Sequence, residues 1–215
     1  MHEPIEITYF HDILCAWCFV AGERVRALKS EYGDAVKVTL RPFPVRSDEE
    51  RPTRKEQLEL ARNSRKASRE PEGRLITSAL WKGDDLPLSS MPPLYAVEAA
   101  AVQGNEAREA LIDRLRVGAH VQGLNVSRTD VLFELAARTG LDMSRFQQAF
   151  ESKSSRKGVD ASCEDAGRHG VRAVPALAIG EEWLITGLRP MVEYRQIIRR
   201  YREERLGGVP ERRLH

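Results

Sequence analysis

The sequence is sparing with cysteine, with aromatic side chains and with unbroken apolar runs. Three cysteines among 215 residues are too few for a disulfide-stapled secreted scaffold. No apolar stretch approaches the roughly 20 residues that cross a bilayer, and the opening Met1-His2-Glu3-Pro4 has neither a basic nor an apolar leader region. A cytoplasmic protein with no membrane partner is expected. Neither sign of charge is in excess: 34 Lys and Arg against 32 Asp and Glu leave a formal net charge of +2, which supplies no electrostatic footprint for nucleic acid. What remains is a chain long enough for one substantial core, or for a domain with a large insertion.

Against that background two of the cysteines stand close together, in Cys15-Ala16-Trp17-Cys18. They fall between an apolar run at residues 5–10, predicted to be a buried strand, and a helix-like run at residues 19–32. Residues three apart within a regular helix hold their Cβ atoms about 5 to 6 Å apart, whereas a disulfide needs about 3.5 to 4.5 Å. Cys15 is therefore expected at the cap position, where it can lean toward Cys18 and its sulfur can face the free N–H groups of Trp17 and Cys18. An ordinary thiol has a pKa of about 8.5, and the helix dipole offers only about 0.3 to 1 kcal/mol, so direct N–H to sulfur hydrogen bonds must supply most of the activation. Cys15 is the expected nucleophile and Cys18 the resolving thiol. A lone Cys-X-X-Cys is also half of a zinc site. The remaining cysteine, Cys163, with His169 six residues on, makes no second pair, so no metal and no organic cofactor is expected.

Residues 36–40 alternate like a second strand, and strand, helix and strand imply a right-handed crossover with a parallel pair. Pro42, Pro44 and Pro52 then break the chain. Residues 53–70 are highly charged with little apolar face: a solvated helix, a mobile lid or a partly disordered stretch. A helical block follows, punctuated by Ser90 as a cap ahead of Pro92 and Pro93, by Asn105, by a weak capping box at Ser127-Arg128-Thr129-Asp130, and by Asp142. A further helix, residues 155–169, holds Cys163. Proline is excluded from central strands, so Val174-Pro175 at the head of a β-like run suggests a cis bond; a trans edge-strand proline is the alternative. Glu181-Glu182 turns the chain back through residues 183–185, and a last helix covers residues 191–205.

Strand, Cys-X-X-Cys helix, strand, helical block, Val-Pro hairpin and final helix: this order resembles the thioredoxin fold in its DsbA form. Residues 12–22, 170–175 and 186–190 are similar to the FrnE-like, cytoplasmic branch of that family. The resemblance implies an α/β, thioredoxin-like fold with a large all-helical insertion, residues 1–45 and 165–206 forming the thioredoxin-like domain, 46–164 the insertion and 207–215 a frayed C-terminal tail. It also implies a protein dithiol–disulfide oxidoreductase in which Cys15 attacks, Cys18 resolves and Pro175 lies against the pair. Trp17, on the rim, and the Val174 backbone would receive the substrate. Partners are then protein or peptide thiols and disulfides, with glutathione a further candidate, and the protein is a monomer or a homodimer. Ala16 stands where the branch commonly carries proline, so an oxidase role is not simply inherited.

Four more residues deserve weighing. His11 could stabilise a Cys15 thiolate; Asp12 could manage the proton of Cys18 or only cap the turn. Cys163 reads as a buried hydrophobe, and His120 as a satisfied core or surface histidine or as one lining the cleft under the insertion. Two rival functions remain: a glutathione-dependent transferase or isomerase of the kappa or 2-hydroxychromene-2-carboxylate isomerase type, and a metal-binding or holdase-like module built on Cys15, Cys18 and Cys163.

Overall fold

A computed structural model describes residues 3–205; the tail expected at 207–215 lies outside them. The first strand, β1 (Ile5–His11), sends Ile5, Ile7 and Tyr9 to one face of the sheet at the two-residue period of a strand. There they meet Ala21, Val25 and Leu28 of α1 (Ala16–Tyr32) and Tyr194 and Ile198 of α8 (Met191–Arg205). Phe10 points to the opposite face, onto Ala166 of α7 (Lys153–Arg168) and Val171. β2 (Val36–Pro42) runs parallel to β1, with Ile5 opposite Val36 and His11 opposite Pro42. β3 (Ala176–Ile179) lies antiparallel on the other side, with Phe10 opposite Ala176, and β4 (Trp183–Thr186) completes the hairpin. The order β2-β1-β3-β4 leaves β1 interior, so the loop at its C-terminal end emerges between the two halves of the molecule.

The second half is helical: α2 (Arg54–Ala67), α3 (Met91–Ala101), α4 (Asn105–His120), α5 (Thr129–Ala137) and α6 (Met143–Glu151), joined by α7. Leu94, Val97, Leu111, Ile112, Leu115, Leu132 and Phe146 build its core. Ile13 and Leu14, from the loop that follows β1, are buried in that same core. α7 runs unbroken through the boundary expected between 164 and 165.

The charged stretch at 53–70 is an ordered helix. Thr53 accepts the Glu56 N–H while the Glu56 carboxylate accepts the Thr53 N–H at 2.7 Å, a reciprocal cap that seeds α2. Small side chains Ala61, Ser64 and Ala67 form its buried face. Two other caps differ from expectation. Ser90 makes no cap bond to α3; the Ser89 hydroxyl accepts the Met91 N–H at 3.1 Å instead, and Ser90 Oγ accepts from the Arg46 N–H. Ser127 does not box α5 either, because its hydroxyl is committed to the Ser89 carbonyl at 2.6 Å. Among the described residues, no helix is long and apolar enough to cross a membrane.

Candidate active site

Between β1 and α1 the chain passes through His11, Asp12, Ile13 and Leu14, all buried, and then turns into the helix at Cys15. Cys15 is the N-cap, in an extended conformation (φ −88°, ψ 108°), and its Sγ accepts the Cys18 N–H at 3.2 Å. Of the two N–H groups expected at the sulfur, Cys18 supplies one; the Trp17 N–H makes no such bond among the described residues. Both thiols are free, Cys15 half-buried and Cys18 fully buried.

Far along the chain, the Val174–Pro175 peptide bond is cis, and the Cys15 Sγ lies 3.8 Å from the Val174 carbonyl oxygen. Val174 precedes the β1–β3 ladder, which begins at Ala176, so its backbone sits outside the sheet. The Pro175 carbonyl is held from behind by the Gly187 N–H at 2.8 Å. Trp17 does not stand clear on the rim: it is half-buried, in one cluster with Phe19, Ile76 and Leu188.

The electrostatics separate the two sulfurs. Burial pushes the Cys18 thiol well up, and the adjacent Cys15 adds to the rise; the Asp12 backbone and Arg116 oppose it. Cys18 is thereby a neutral thiol while it waits. The Tyr9 hydroxyl, itself pushed well up by burial and then by Cys18, stays protonated and donates to the Cys18 carbonyl at 2.8 Å. Asp12 is both buried and a turn anchor, accepting the Leu14 N–H at 2.6 Å and the Val45 N–H at 2.7 Å. Burial raises its carboxyl, and the Ser90 hydroxyl and these two N–H groups restrain the rise.

The two histidines are neutral. Burial, then Arg116 and Arg108, drive His11 well below its ordinary value, and among the described residues neither ring nitrogen has a hydrogen-bond partner. It therefore brings no positive charge to a Cys15 thiolate, contrary to the role considered for it. His120, pushed down to about 4 by burial, sets Nε2 2.8 Å from the Ile13 carbonyl and stands edge-on to Phe19. Cys163 is only half-buried, against the insertion core, its thiol raised by burial and Asp160. Among the described residues, no three His, Cys, Asp or Glu side chains converge as a metal-ligand set.

Three neighbours were not anticipated. Tyr9 looked like one more strand aromatic. Arg24, one turn and a half after Cys18, is buried and clamps Glu72 at 3.0 and 2.9 Å, Glu70 at 2.5 Å and the Arg189 carbonyl at 2.8 Å. Arg116 is 6% exposed on α4. A signal for it existed: Ile112, Arg116 and His120 recur at four-residue spacing, which sets an arginine on an apolar stripe.

A paired-cysteine helix start beside a cis-proline, on a mixed sheet with a parallel strand–helix–strand unit, defines a thioredoxin-like oxidoreductase fold. The model of the DSBA-like thioredoxin domain family matches residues 6–199, and the chain belongs to that family. Among curated proteins it is 29% identical over 229 aligned residues to the ClpXP adapter protein SpxH of Halalkalibacterium halodurans, covering 98% of this chain and 70% of the relative. It is 30% identical over 177 residues to the SpxH of Bacillus subtilis, covering 81% of this chain and 58% of the relative. The chain thus spans between 58% and 70% of the length of these two relatives. Among solved structures, a protein assigned as a disulfide isomerase from Nitrosomonas europaea superposes with a TM-score of 0.81 at 19% identity, covering 94% of this chain and 99% of that one. The cytosolic disulfide reductase DsbM from Pseudomonas aeruginosa gives a TM-score of 0.73 at 21% identity, covering 92% and 98%. At such identities the structures attest the fold.

Proposed function

We propose that the protein is a cytoplasmic thiol–disulfide oxidoreductase acting on protein or peptide substrates, on the pattern of the FrnE-like branch. One observation carries the reading: the Cys15 sulfur takes an N–H from the first turn of α1 and lies 3.8 Å from the Val174 carbonyl beside Pro175. A segment outside the sheet, next to a capped sulfur, is where a substrate chain can lie as an added strand. The Cys15 thiolate attacks a substrate disulfide, forming a Cys15–substrate disulfide and expelling one substrate thiolate. Cys18 loses its proton, attacks Cys15 and expels the second, leaving a Cys15–Cys18 disulfide that a thiol such as glutathione reduces again. Pro175 shapes the docking segment and Trp17 borders it. Asp12 anchors the turn ahead of Cys15 through its carboxylate, and its backbone favours the Cys18 thiolate.

Insulin reduction and dithiol-peptide oxidation test this. Cys15→Ser should abolish both, and Cys18→Ser should accumulate the Cys15 mixed disulfide; turnover retained in Cys15→Ser refutes the mechanism. A second reading, favoured by the names of the curated relatives, is a protein-recognition adapter. Partner delivery that survives in a Cys15→Ser, Cys18→Ser double variant would select it. The glutathione-dependent transferase reading predicts conjugation of an aromatic electrophile, which the dithiol mechanism does not.

A further inference from the structure

The thioredoxin-like half of the site explains Cys15 but leaves the buried Cys18 with a difficulty. A sealed thiol must ionise before it can release the mixed disulfide, and burial opposes that. The charge that could help lies on the other side of the site, on α4.

Arg116 is 6% exposed, and its Nε and Nη2 are buried without a hydrogen-bond partner among the described residues. Its guanidinium carbon sits 5.9 Å from the centre of the Tyr9 ring, the same Tyr9 whose hydroxyl holds the Cys18 carbonyl at 2.8 Å. Its Nη1 rests against Gly22, one turn after Cys18 on α1, at a spot that a Cβ would occupy. A side chain at position 22 would make the Arg116 guanidinium shift, so this glycine, which ordinarily costs stability within a helix, leaves the guanidinium where it lies.

The surrounding charges are already matched. On α1, Arg26 pairs with Glu23 and Asp113, and Lys29 with Glu109. On α4, Arg108 pairs with Glu98, and His120 is neutral, as is His11 on β1. Tyr9 is a neutral donor, and Asp12, in the loop between β1 and α1, accepts the Leu14 and Val45 N–H groups while Arg116 acts on it only at a distance. Among the described residues Arg116 is in no ion pair. A buried cation outside any ion pair is costly unless something nearby uses it.

We propose that Arg116 is a positioning residue for the redox pair: its unpaired guanidinium, brought against Tyr9 and Gly22 by the helical insertion, favours the thiolate of Cys18 and so sets how fast the mixed disulfide resolves. The step itself is simple. The Cys18 proton leaves to solvent base, Cys18 sulfur bonds to Cys15 sulfur, the bond from Cys15 to the substrate sulfur breaks, and the substrate leaves as thiolate. The inference rests on the oxidoreductase reading above.

The test uses one equivalent of dithiobis-nitrobenzoate on the reduced protein in a Cys163→Ala background, followed by stopped flow. A first phase releases one thionitrobenzoate as Cys15 attacks, and a second releases another as Cys18 resolves. A unit charge acting across one helix spacing at an effective dielectric of about 20 alters ionisation on the order of tenfold. Arg116→Met should therefore slow the second phase about threefold at neutral pH, because the rarer thiolate is also the more nucleophilic. The pH–rate profile of that phase should move alkaline. The first phase should persist, Arg116→Lys should restore much of the second, and thermal stability should not fall, since an apolar isostere replaces an unpaired charge. A second phase with unchanged rate and pH profile in Arg116→Met overturns the inference alone. A missing first phase in the parent protein overturns the oxidoreductase reading and this inference with it.

Discussion

Replacing Arg24 by methionine tests how the segment at 70–76 is held over the site. The substitution keeps the aliphatic stem and removes three charge-assisted bonds to Glu72 and Glu70 and one to the Arg189 carbonyl. Breaking a fully buried ion pair costs about 3 to 5 kcal/mol, but the two carboxylates are 35% and 25% exposed and partly resolvated when the guanidinium goes. Surface pairs give about 0 to 1 kcal/mol. An intermediate loss of about 2 kcal/mol follows, or a Tm lowered by about 4 to 8 °C in a chain of this size. The pH dependence identifies the cause. Arg24 holds the Glu72 carboxyl below its ordinary 4.5, so the stabilisation is complete above that value and fades as pH falls through the lower folded-state value. Thermal unfolding followed by circular dichroism should show the gap between parent and Arg24→Met at pH 7 and a narrowed gap near pH 3. A gap that is equal at both pH values, or a Tm change of less than about 1 °C, refutes the argument.

Two further outcomes follow from buried groups. His11 and His120 are both depressed in the folded protein, His120 to about 4 from 6.5, so the unfolded chain binds more protons and stability drops as pH falls from 6.5. The slope of unfolding free energy should approach two protons, about 2.7 kcal/mol per pH unit, in urea titrations between pH 6 and 5; a flat profile there contradicts the neutral assignment. Tyr9→Phe removes the side-chain bond to the Cys18 carbonyl and should cost about 1 kcal/mol in the same titration, with no change costing the bond its assigned importance.

The parts that sequence made legible are those with local grammar. A β-branched run, a cysteine pair at a helix start, a turn after Tyr32 and a proline ahead of a short strand each carry their structural meaning within a few residues, and together they led to the α/β fold with its helical insertion. The Thr53-x-x-Glu56 cap was equally local, yet the dense charge of α2 masked the small-residue stripe of Ala61, Ser64 and Ala67. Legibility failed where one side chain serves a distant segment. Asp12 answers the Val45 N–H, Ser127 is drawn from α5 to the Ser89 carbonyl, and Trp17 is covered by Ile76. Arg116 belongs to the same group: its stripe is readable on α4, but what lies opposite is decided by how α4 meets β1 and α1.

The rooting of Ile13 and Leu14 among Leu94, Leu111 and Leu115 has a bearing on engineering. Those two aliphatics are the step immediately before the reactive sulfur, so the loop is moored to the helical half while its strand is moored to the other. A miniaturised version cut down to the sheet and its flanking helices would leave that mooring hanging in water. Grafting the four-residue cysteine sequence onto another scaffold would likewise carry the sulfurs without the anchor that aims them.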